Sequence, residues 1–339
     1  MEIIREIGDN GGWYNGLKLA RFWDQSLLKF VIGGRGMGKT DYWLQVAIRL
    51  YERFGCQTVW IRNKKVELSE EGNFDAFLND AHAFGWCPEN WIAKEDGVYT
   101  DDSRDADKVI KFASISTFSN KRGGGHPNVM LMVFDEMIPE DRKYPHMCAL
   151  GLLSLVTSMS RGRCKVIVCS NFVSAGNPYW ARFEVYNNPK YDVTNYPDKR
   201  ICIELAKGYN KATPDNSDLA KLSRAGRAPN YEDEKSDSLL GLVCPIPKGA
   251  RPAPYVYLID GQYFREWDKN GLRYIDQWNG EIKDTTVVYT PNVTECTEGV
   301  EIVPKPVMKY LTEHMERNFL RFKTPNVMFK VLNMIYDSV

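Results

Sequence analysis

Residues 33 to 40 read Gly33-Gly34-Arg35-Gly36-Met37-Gly38-Lys39-Thr40, a complete G-x-x-x-x-G-K-[ST] phosphate loop. Glycines let the backbone curl until several N–H groups point at one phosphate, and the helix that follows aims its positive end at the same place. Lys39 then reaches the β- and γ-phosphates of ATP, and the Thr40 hydroxyl can ligate Mg²⁺. An acidic pair, Asp135-Glu136, follows the apolar run Val129 to Phe134 in the form of a Walker B strand. At the carboxyl end of a parallel strand, Asp135 would bind in the Mg²⁺ shell, and Glu136 would orient and polarise the water that attacks the γ-phosphate. Read alone, Asp135-Glu136 could equally begin a solvated loop; the upstream phosphate loop favours the catalytic reading. A further apolar run, Val166-Ile167-Val168-Cys169, ends in Ser170-Asn171. ATPases with a catalytic glutamate beside the Walker B aspartate carry an extra strand between the phosphate-loop and Walker B strands. Its polar last residue senses the γ-phosphate. Asn171 fits that post, with a turn cap before Asn177-Pro178 as the rival reading. Just before that strand, Ser160-Arg161-Gly162-Arg163 is either a solvated basic turn or the place of an arginine that neutralises γ-phosphate charge.

The elements needed to hold these groups stand around them. Leu28 to Ile32 is a short apolar run, as a buried strand before the loop requires, and Asp41 to Phe54 has the periodicity of an amphipathic helix closed by Gly55. Thr58 to Arg62 is another strand, leading into Asn63-Lys64-Lys65. Four strands with helices between them predict an open α/β sheet of the P-loop NTPase kind. The 339 residues suffice for two domains. Lys+Arg and Asp+Glu are both 44, so a nucleic-acid partner has to be held by local patches and not by an overall positive field. The cysteines at 56, 87, 148, 164, 169, 202, 244 and 296 contain no C-x-x-C pair, which points to free thiols in a reducing cytosol and away from a zinc site. Met1 to Asn10 is charged and reads as no signal peptide, and no apolar run approaches the ~20 residues that span a bilayer.

These landmarks resemble the DNA-packaging ATPases of phi29-like tailed phages. The likeness runs through Phe30 to Thr40, Trp60-Ile61-Arg62, Asn128 to Glu136, Val168-Cys169-Ser170-Asn171 with Val173-Ser174 and Asn177-Pro178-Tyr179, and Asn318-Phe319-Leu320-Arg321-Phe322, all in the same order. It is looser from 180 to 250 and over most of the C-terminal domain. The resemblance implies a homo-oligomeric ring, a pentamer in the family, that sits on the phage portal and drives double-stranded DNA into a preformed capsid. Such a motor works in the host cytoplasm, transiently on the procapsid, and in some relatives a structural RNA mediates docking. The fold implied is a P-loop ATPase domain of the additional-strand, catalytic-glutamate type over 1–206 and a linker over 207–250. A small α+β domain with a vestigial, RNase H-like nuclease core follows over 251–339. Carried over residue by residue, Lys39 and Thr40 bind phosphate and Mg²⁺, Asp135 holds Mg²⁺ and Glu136 activates water. Arg161 matches the arginine that acts across the subunit boundary, after a one-residue insertion; an ungapped alignment would put Met159 there, and Arg163 stays an alternative. Lys65 matches a lysine that also acts across that boundary, in a less arginine-rich setting than the family's.

In the second half, Ser217 to Ala225 has the pattern of a short helix between Pro-containing turns. Tyr255 to Ile259 begins a meander, and Asp260-Gly261 and Asn270-Gly271 are hairpin signals. Helices are expected near Lys305 to Glu316 and Pro325 to Tyr336. A nuclease of this type needs carboxylates converging on two metals, one of them in the middle of the first strand. That strand has none, Asp260 sits at a turn, and Asp276 and Asp284 read as solvated strand or loop residues, so docking and assembly fit this domain better than cutting. For gripping DNA the candidates are Lys121 and Arg122, in the basic loop Ser119 to His126 before the Walker B strand; an ordinary exposed glycine loop is the rival. Two other functions share these motifs: a helicase or conjugation-type DNA-transfer ATPase, and a nucleotide-gated assembly protein that moves no DNA. Glu136 speaks against the last, since a pure switch needs no positioned base.

Overall fold

The computed structural model describes the chain except residues 1, 9–10, 35, 70–72, 118–127, 140–143, 161–163, 172–175, 189, 208, 210–241, 284 and 339. The chain divides into two compact units, Met1–Val173 with Asn187–Lys235, and Ser174–Tyr186 with Ser236–Val339.

The first unit begins with two short helices, α1 (Glu2–Ile7) and α2 (Leu17–Ala20). Strand β1 (Leu28–Ile32) leads into α3 (Lys39–Phe54), then β2 (Gln57–Arg62), α4 (Val66–Ser69) and α5 (Asn73–Ala83). A hairpin, β3 (Ile92–Lys94) and β4 (Gly97–Tyr99), precedes β5 (Lys108–Ser114), β6 (Val129–Phe134), α6 (Cys148–Ser160) and β7 (Lys165–Ser170). The sheet closes with β8 (Val193–Tyr196) and β9 (Ile201–Leu205). The nine strands lie in the order β3-β4-β5-β2-β6-β7-β1-β9-β8. From β5 to β9 every neighbour is parallel, and the β3–β4 hairpin and β8 run antiparallel at the two edges. β7 therefore lies between the phosphate-loop strand β1 and the Walker B strand β6, as an additional-strand ATPase requires.

Burial explains the run-like sequences of the central strands. All five residues of β1 and the last four of β6 are buried, as both faces of a parallel sheet demand. One core packs Val31, Trp60, Leu131, Val133, Ile167 and Cys169 of the sheet against Tyr42, Trp43, Leu44 and Val46 of α3 and Phe74 and Leu78 of α5. Lys29 is buried in β1 at the end away from the phosphate loop. Its ammonium donates to the Ser26 carbonyl (2.5 Å) over the Trp23 ring, and burial lowers its pKa to about 8.

The second unit contains α7 (Pro178–Phe183), whose N-cap Asn177 accepts from Trp180 N–H at 2.9 Å. Its sheet is built from β10 (Arg251–Ile259), β11 (Gln262–Lys269), β12 (Leu272–Gln277), β13 (Val287–Thr290), β14 (Val300–Ile302) and β15 (Leu320–Phe322). The helices α8 (Lys305–Glu316) and α9 (Pro325–Ser338) complete it. The strand order is β14-β13-β10-β11-β12-β15; β10, β11 and β12 are antiparallel neighbours, while β13 runs parallel to β10 and β14 to β13. β10 thus sits at the centre, with an antiparallel meander on one side and two parallel strands on the other. Both hairpin turns have positive φ at their central residues, Asp260 and Gly261, Asn270 and Gly271, the geometry that matches strand twist. Pro252 and Pro254 lie within β10, where a strand interior would exclude proline. At that end β10 pairs with β11 alone, since β13 joins only from Tyr255 on, so the missing N–H groups break no ladder on that side. The other edge is covered: Val243 bridges to Phe322 of β15, and Cys244 N–H bonds the Phe322 carbonyl.

Candidate nucleotide site

Because β1, β7 and β6 are parallel and in register, their carboxyl ends present Gly33, Asn171 and Asp135 along one edge of the sheet. Gly36 and Gly38 adopt φ of 70° and 79°, a region costly for any side chain, which lets the loop turn into α3 with its N–H groups inward. The first turn of α3 carries Lys39 and Thr40. Lys39 is buried, and its ammonium donates to the carbonyls of Gly33 (2.8 Å) and Gly34 (2.7 Å) and to Asn171 Oδ1 (3.2 Å). Thr40 Oγ1 donates to the Asp135 carboxylate at 3.1 and 3.2 Å. A hydroxyl and a carboxylate side by side at a helix N-terminus are hard oxygen donors suited to Mg²⁺, and the ammonium beside them suits a phosphate. The residues fit Mg·ATP.

Arg62, the last residue of β2, completes the cluster. Its guanidinium donates to Asp135 Oδ2 (2.9 Å) and to the Glu136 carboxylate, with side-chain exposures of 10% for Arg62 and 4% for Asp135. Burial works against the arginine's charge, but Asp135 and then Glu136 outweigh it and raise its pKa above the ordinary value. Sequence reading had placed Arg62 only as a strand end. The strand order β2-β6 is what brings it to the two carboxylates, and one sequence offers no sign of that pairing.

A brace from the N-terminal segment was also absent from the sequence reading. Tyr14 N–H bonds the Met37 carbonyl (2.9 Å) of the phosphate loop, and the Tyr14 hydroxyl donates to Glu204 Oε2 (3.0 Å) on β9. Tyr209 donates to the Asn15 carbonyl (3.1 Å). Glu204 is fully buried, and burial raises its pKa to about 7.

Among the predicted site residues, Gly33, Gly34, Gly36, Met37, Gly38, Lys39, Thr40, Asp135, Glu136 and Asn171 come together. Asn171 stands beside the phosphate loop, its Oδ1 accepting from Lys39. Lys65 is exposed and ion-paired with Glu95 (2.6 Å). Arg35, Lys121, Arg122, Arg161, Arg163, Asp284 and the helix expected over 217–225 lie outside the described residues. In the second unit Asp276, expected to be solvated, is buried instead, because Lys323 pairs with it (2.6 Å) at the end of β12. Glu266 is buried, accepting from the hydroxyls of Tyr255, Tyr257 and Tyr310 and paired with Arg273. Among the described residues no group of three or more His, Cys, Asp and Glu is placed to hold a metal, and no helix is long and apolar enough to cross a membrane.

Comparison with known proteins gives one consistent answer. The family model described as Podovirus DNA encapsidation protein (Gp16) matches residues 9–221. The DNA packaging protein of Bacillus phage phi29 is 26% identical over 334 residues, covering 93% of this chain and 94% of its own. The crystallised N-terminal domain of the phage phi29 DNA packaging ATPase is 27% identical with a TM-score of 0.50, covering 59% of this chain and 98% of its own. The phi28 gp11 DNA packaging motor shares the fold over 96% of this chain and 98% of its own, with a TM-score of 0.72 at 15% identity.

Proposed function

The chain belongs to the Podovirus DNA encapsidation protein (Gp16) family, and on that premise we propose that it is the motor ATPase that drives double-stranded DNA into a preformed capsid. One observation carries the reading: Lys39, Thr40, Asp135, Glu136 and Asn171 meet at the carboxyl edge of three adjacent parallel strands, with Thr40 Oγ1 3.1 Å from Asp135 and Lys39 3.2 Å from Asn171. Phosphoryl transfer asks little covalent chemistry of a protein and much positioning and charge stabilisation. Mg²⁺ bound at Thr40 and Asp135 would supply the charge that neutralises the phosphate oxygens. Lys39 exchanges its loop carbonyls for phosphate oxygens, and Asn171 reports whether a γ-phosphate is there. Glu136 orients and polarises the attacking water. Its carboxylate is engaged by Arg62. A guanidinium-paired carboxylate is a weak base, so turnover requires Glu136 to take the water in place of Arg62.

The same reading assigns the residues outside this cluster. Arg161, with Arg163 as its alternative, and the exposed Lys65 act from a neighbouring copy in a homo-oligomeric ring. Lys121 and Arg122 contact the DNA backbone, and the second unit docks the ring on the portal of a procapsid in the host cytoplasm, with a structural RNA as a further candidate partner. The test is protection: empty capsids, this protein and ATP should shield DNA from added nuclease. Lys39→Ala should lose nucleotide binding and protection together, while Glu136→Gln should keep Mg·ATP affinity and lose turnover. Equal loss of affinity in both variants, or processive unwinding of a forked duplex without capsid, would overturn the reading.

A further inference from the structure

Resting on the reading of Glu136 as the residue that activates water, we infer that Asn63 is a positioning residue for hydrolysis, whose side-chain amide holds the Glu136 backbone in the turn that aims its carboxylate. Glu136 has φ of 54°, in the left-handed region that costs any residue with a Cβ. Such a conformation persists only where its surroundings determine it. The chain on either side of Glu136 is tied to neighbouring strands: Asp135 N–H to the Ile61 carbonyl (3.0 Å) and Met137 N–H to the Cys169 carbonyl (2.9 Å). The next two carbonyls, of Glu136 and Met137, turn to a common point. There the Asn63 amide nitrogen stands 2.8 Å from the first and 3.1 Å from the second. Carbonyl oxygens only accept, so the amide must present its nitrogen to them and spend one N–H on each.

The donor is itself fixed. Asn63 is fully buried, and its own carbonyl accepts from Ser116 N–H (3.0 Å) while that of Arg62 accepts from Ile115 N–H (3.0 Å), extending the β2–β5 ladder by one residue. Two consecutive residues at the end of β2 thus divide the work: Arg62 engages the Glu136 carboxylate and Asn63 its main chain. If the turn relaxes to a right-handed or extended φ, the Cα–Cβ bond of Glu136 swings away, and the carboxylate no longer stands where its partner strands place it. The phosphate loop and Asp135 keep their own contacts, so ATP affinity should survive.

Asn63→Ala in the full-length chain should lower kcat for ATP roughly 10- to 100-fold, the range felt when a supporting partner of a reacting group is lost. Affinity for a fluorescent ATP analogue should stay within about twofold. Asn63→Ser, with one donor in place of two, should fall between Ala and wild type. Asn63→Asp sets carboxylate oxygens against two carbonyls, so near neutral pH it should be slower than Ala. Its protonated form regains one donor, and its kcat relative to wild type should climb as pH falls, while the Ala ratio stays flat. The inference fails if folded Asn63→Ala or Asn63→Ser turns over at the wild-type rate, if affinity falls as far as kcat, or if the Asp and Ala pH profiles run parallel. Glu136→Gln measured beside them separates the two readings. Turnover by Glu136→Gln would sink the catalytic assignment itself, whereas an inactive Glu136→Gln with a fast Asn63→Ala would sink only the role of Asn63.

Discussion

Arg62→Met isolates the charge at the centre of the site, because the thioether keeps much of the volume of the arginine stem and removes the guanidinium. The Arg62–Asp135 pair is separated by 2.9 Å with side-chain exposures of 10% and 4%. At that distance and an effective dielectric near 20, the attraction is about 6 kcal/mol, much of it offset by the cost of desolvating both ions. Removing one partner strands the other, and a buried carboxylate left without its cation costs about 3–5 kcal/mol. For a unit of this size that lowers Tm by roughly 6–20 °C. Thermal and urea unfolding of the full chain near neutral pH measures it, following the transition of the first unit. Three outcomes are expected together. The deficit follows the first unit, whose core holds the pair. Saturating Mg·ATP restores part of the loss by binding the native state. Arg62→Met combined with Asp135→Asn is more stable than Arg62→Met alone, because no buried charge remains unpaired. A deficit below about 1 kcal/mol, or one that the second substitution leaves unchanged, would refute the reasoning.

Other expectations follow from the same contacts. Glu204, fully buried with its pKa raised to about 7, keeps a proton that the unfolded chain releases near its ordinary 4.5; its contribution is present below that lower value and lost as pH rises through about 7. Glu204→Gln should flatten that decline by up to about 3 kcal/mol, and parallel stability curves for the two proteins would exclude it. Changing Lys121 and Arg122 to Ala should weaken DNA binding uniformly across sequences and reduce the salt slope by about one unit per phosphate contact, with basal ATPase retained; an unchanged slope moves the grip elsewhere. Mixing the inactive variants Arg161→Ala and Glu136→Gln should restore part of the ATPase activity in mixed rings, since some interfaces then pair an intact Glu136 with an intact arginine. Mixed rings that form and stay inactive would place Arg161 in cis or outside the chemistry.

What could be read from sequence was whatever the chain carries as contiguous pattern. The phosphate loop, the Walker B run and the strand ending at Asn171 each declare themselves within a few residues, and their strands appear where the apolar runs lie. β6 covers Val129–Phe134, and α8 covers Lys305–Glu316. The outer strands were not legible: β3 and β4 have three residues each, and β9, one in from the far edge, hides a glutamate inside an apolar run. Spatial order was legible only through the resemblance, because no local pattern states that β2 lies beside β6 while β7 parts β6 from β1. The contacts that depend on β2 lying beside β6, and on β9 beside β1, were therefore missed. Arg62 and Asn63 look like the end of a strand until β6 is set against them, and Tyr14 and Glu204 are 190 residues apart in the chain. α7 follows the Asn171 strand closely in sequence, yet packs against α9 in the second unit, with Arg182 paired to Asp337 (3.2 Å) and Asn333 donating to the Ala181 carbonyl (3.4 Å).

The position of β7 decides which parts of the site can move together. Its last residues touch the two halves of the chemistry by different bonds. Asn171 accepts from Lys39 (3.2 Å), the residue that meets phosphate, and the Cys169 carbonyl accepts from Met137 N–H (2.9 Å), next to the left-handed turn at Glu136. β1 and β6 are not neighbours, so within the sheet β7 is what links the phosphate-loop strand to the strand that leads to Glu136. A γ-phosphate that draws Lys39 away from Asn171 acts on the same strand that pins Met137. Arg62 and Asn63 hold Glu136 from the opposite side, on β2. Glu136 is thus set between a strand whose end contacts Lys39 and a strand that does not lie beside the phosphate loop. On the proposed reading, a relative shift of β7 and β2 would change how Glu136 is held, while Thr40 and Asp135 keep their own bond.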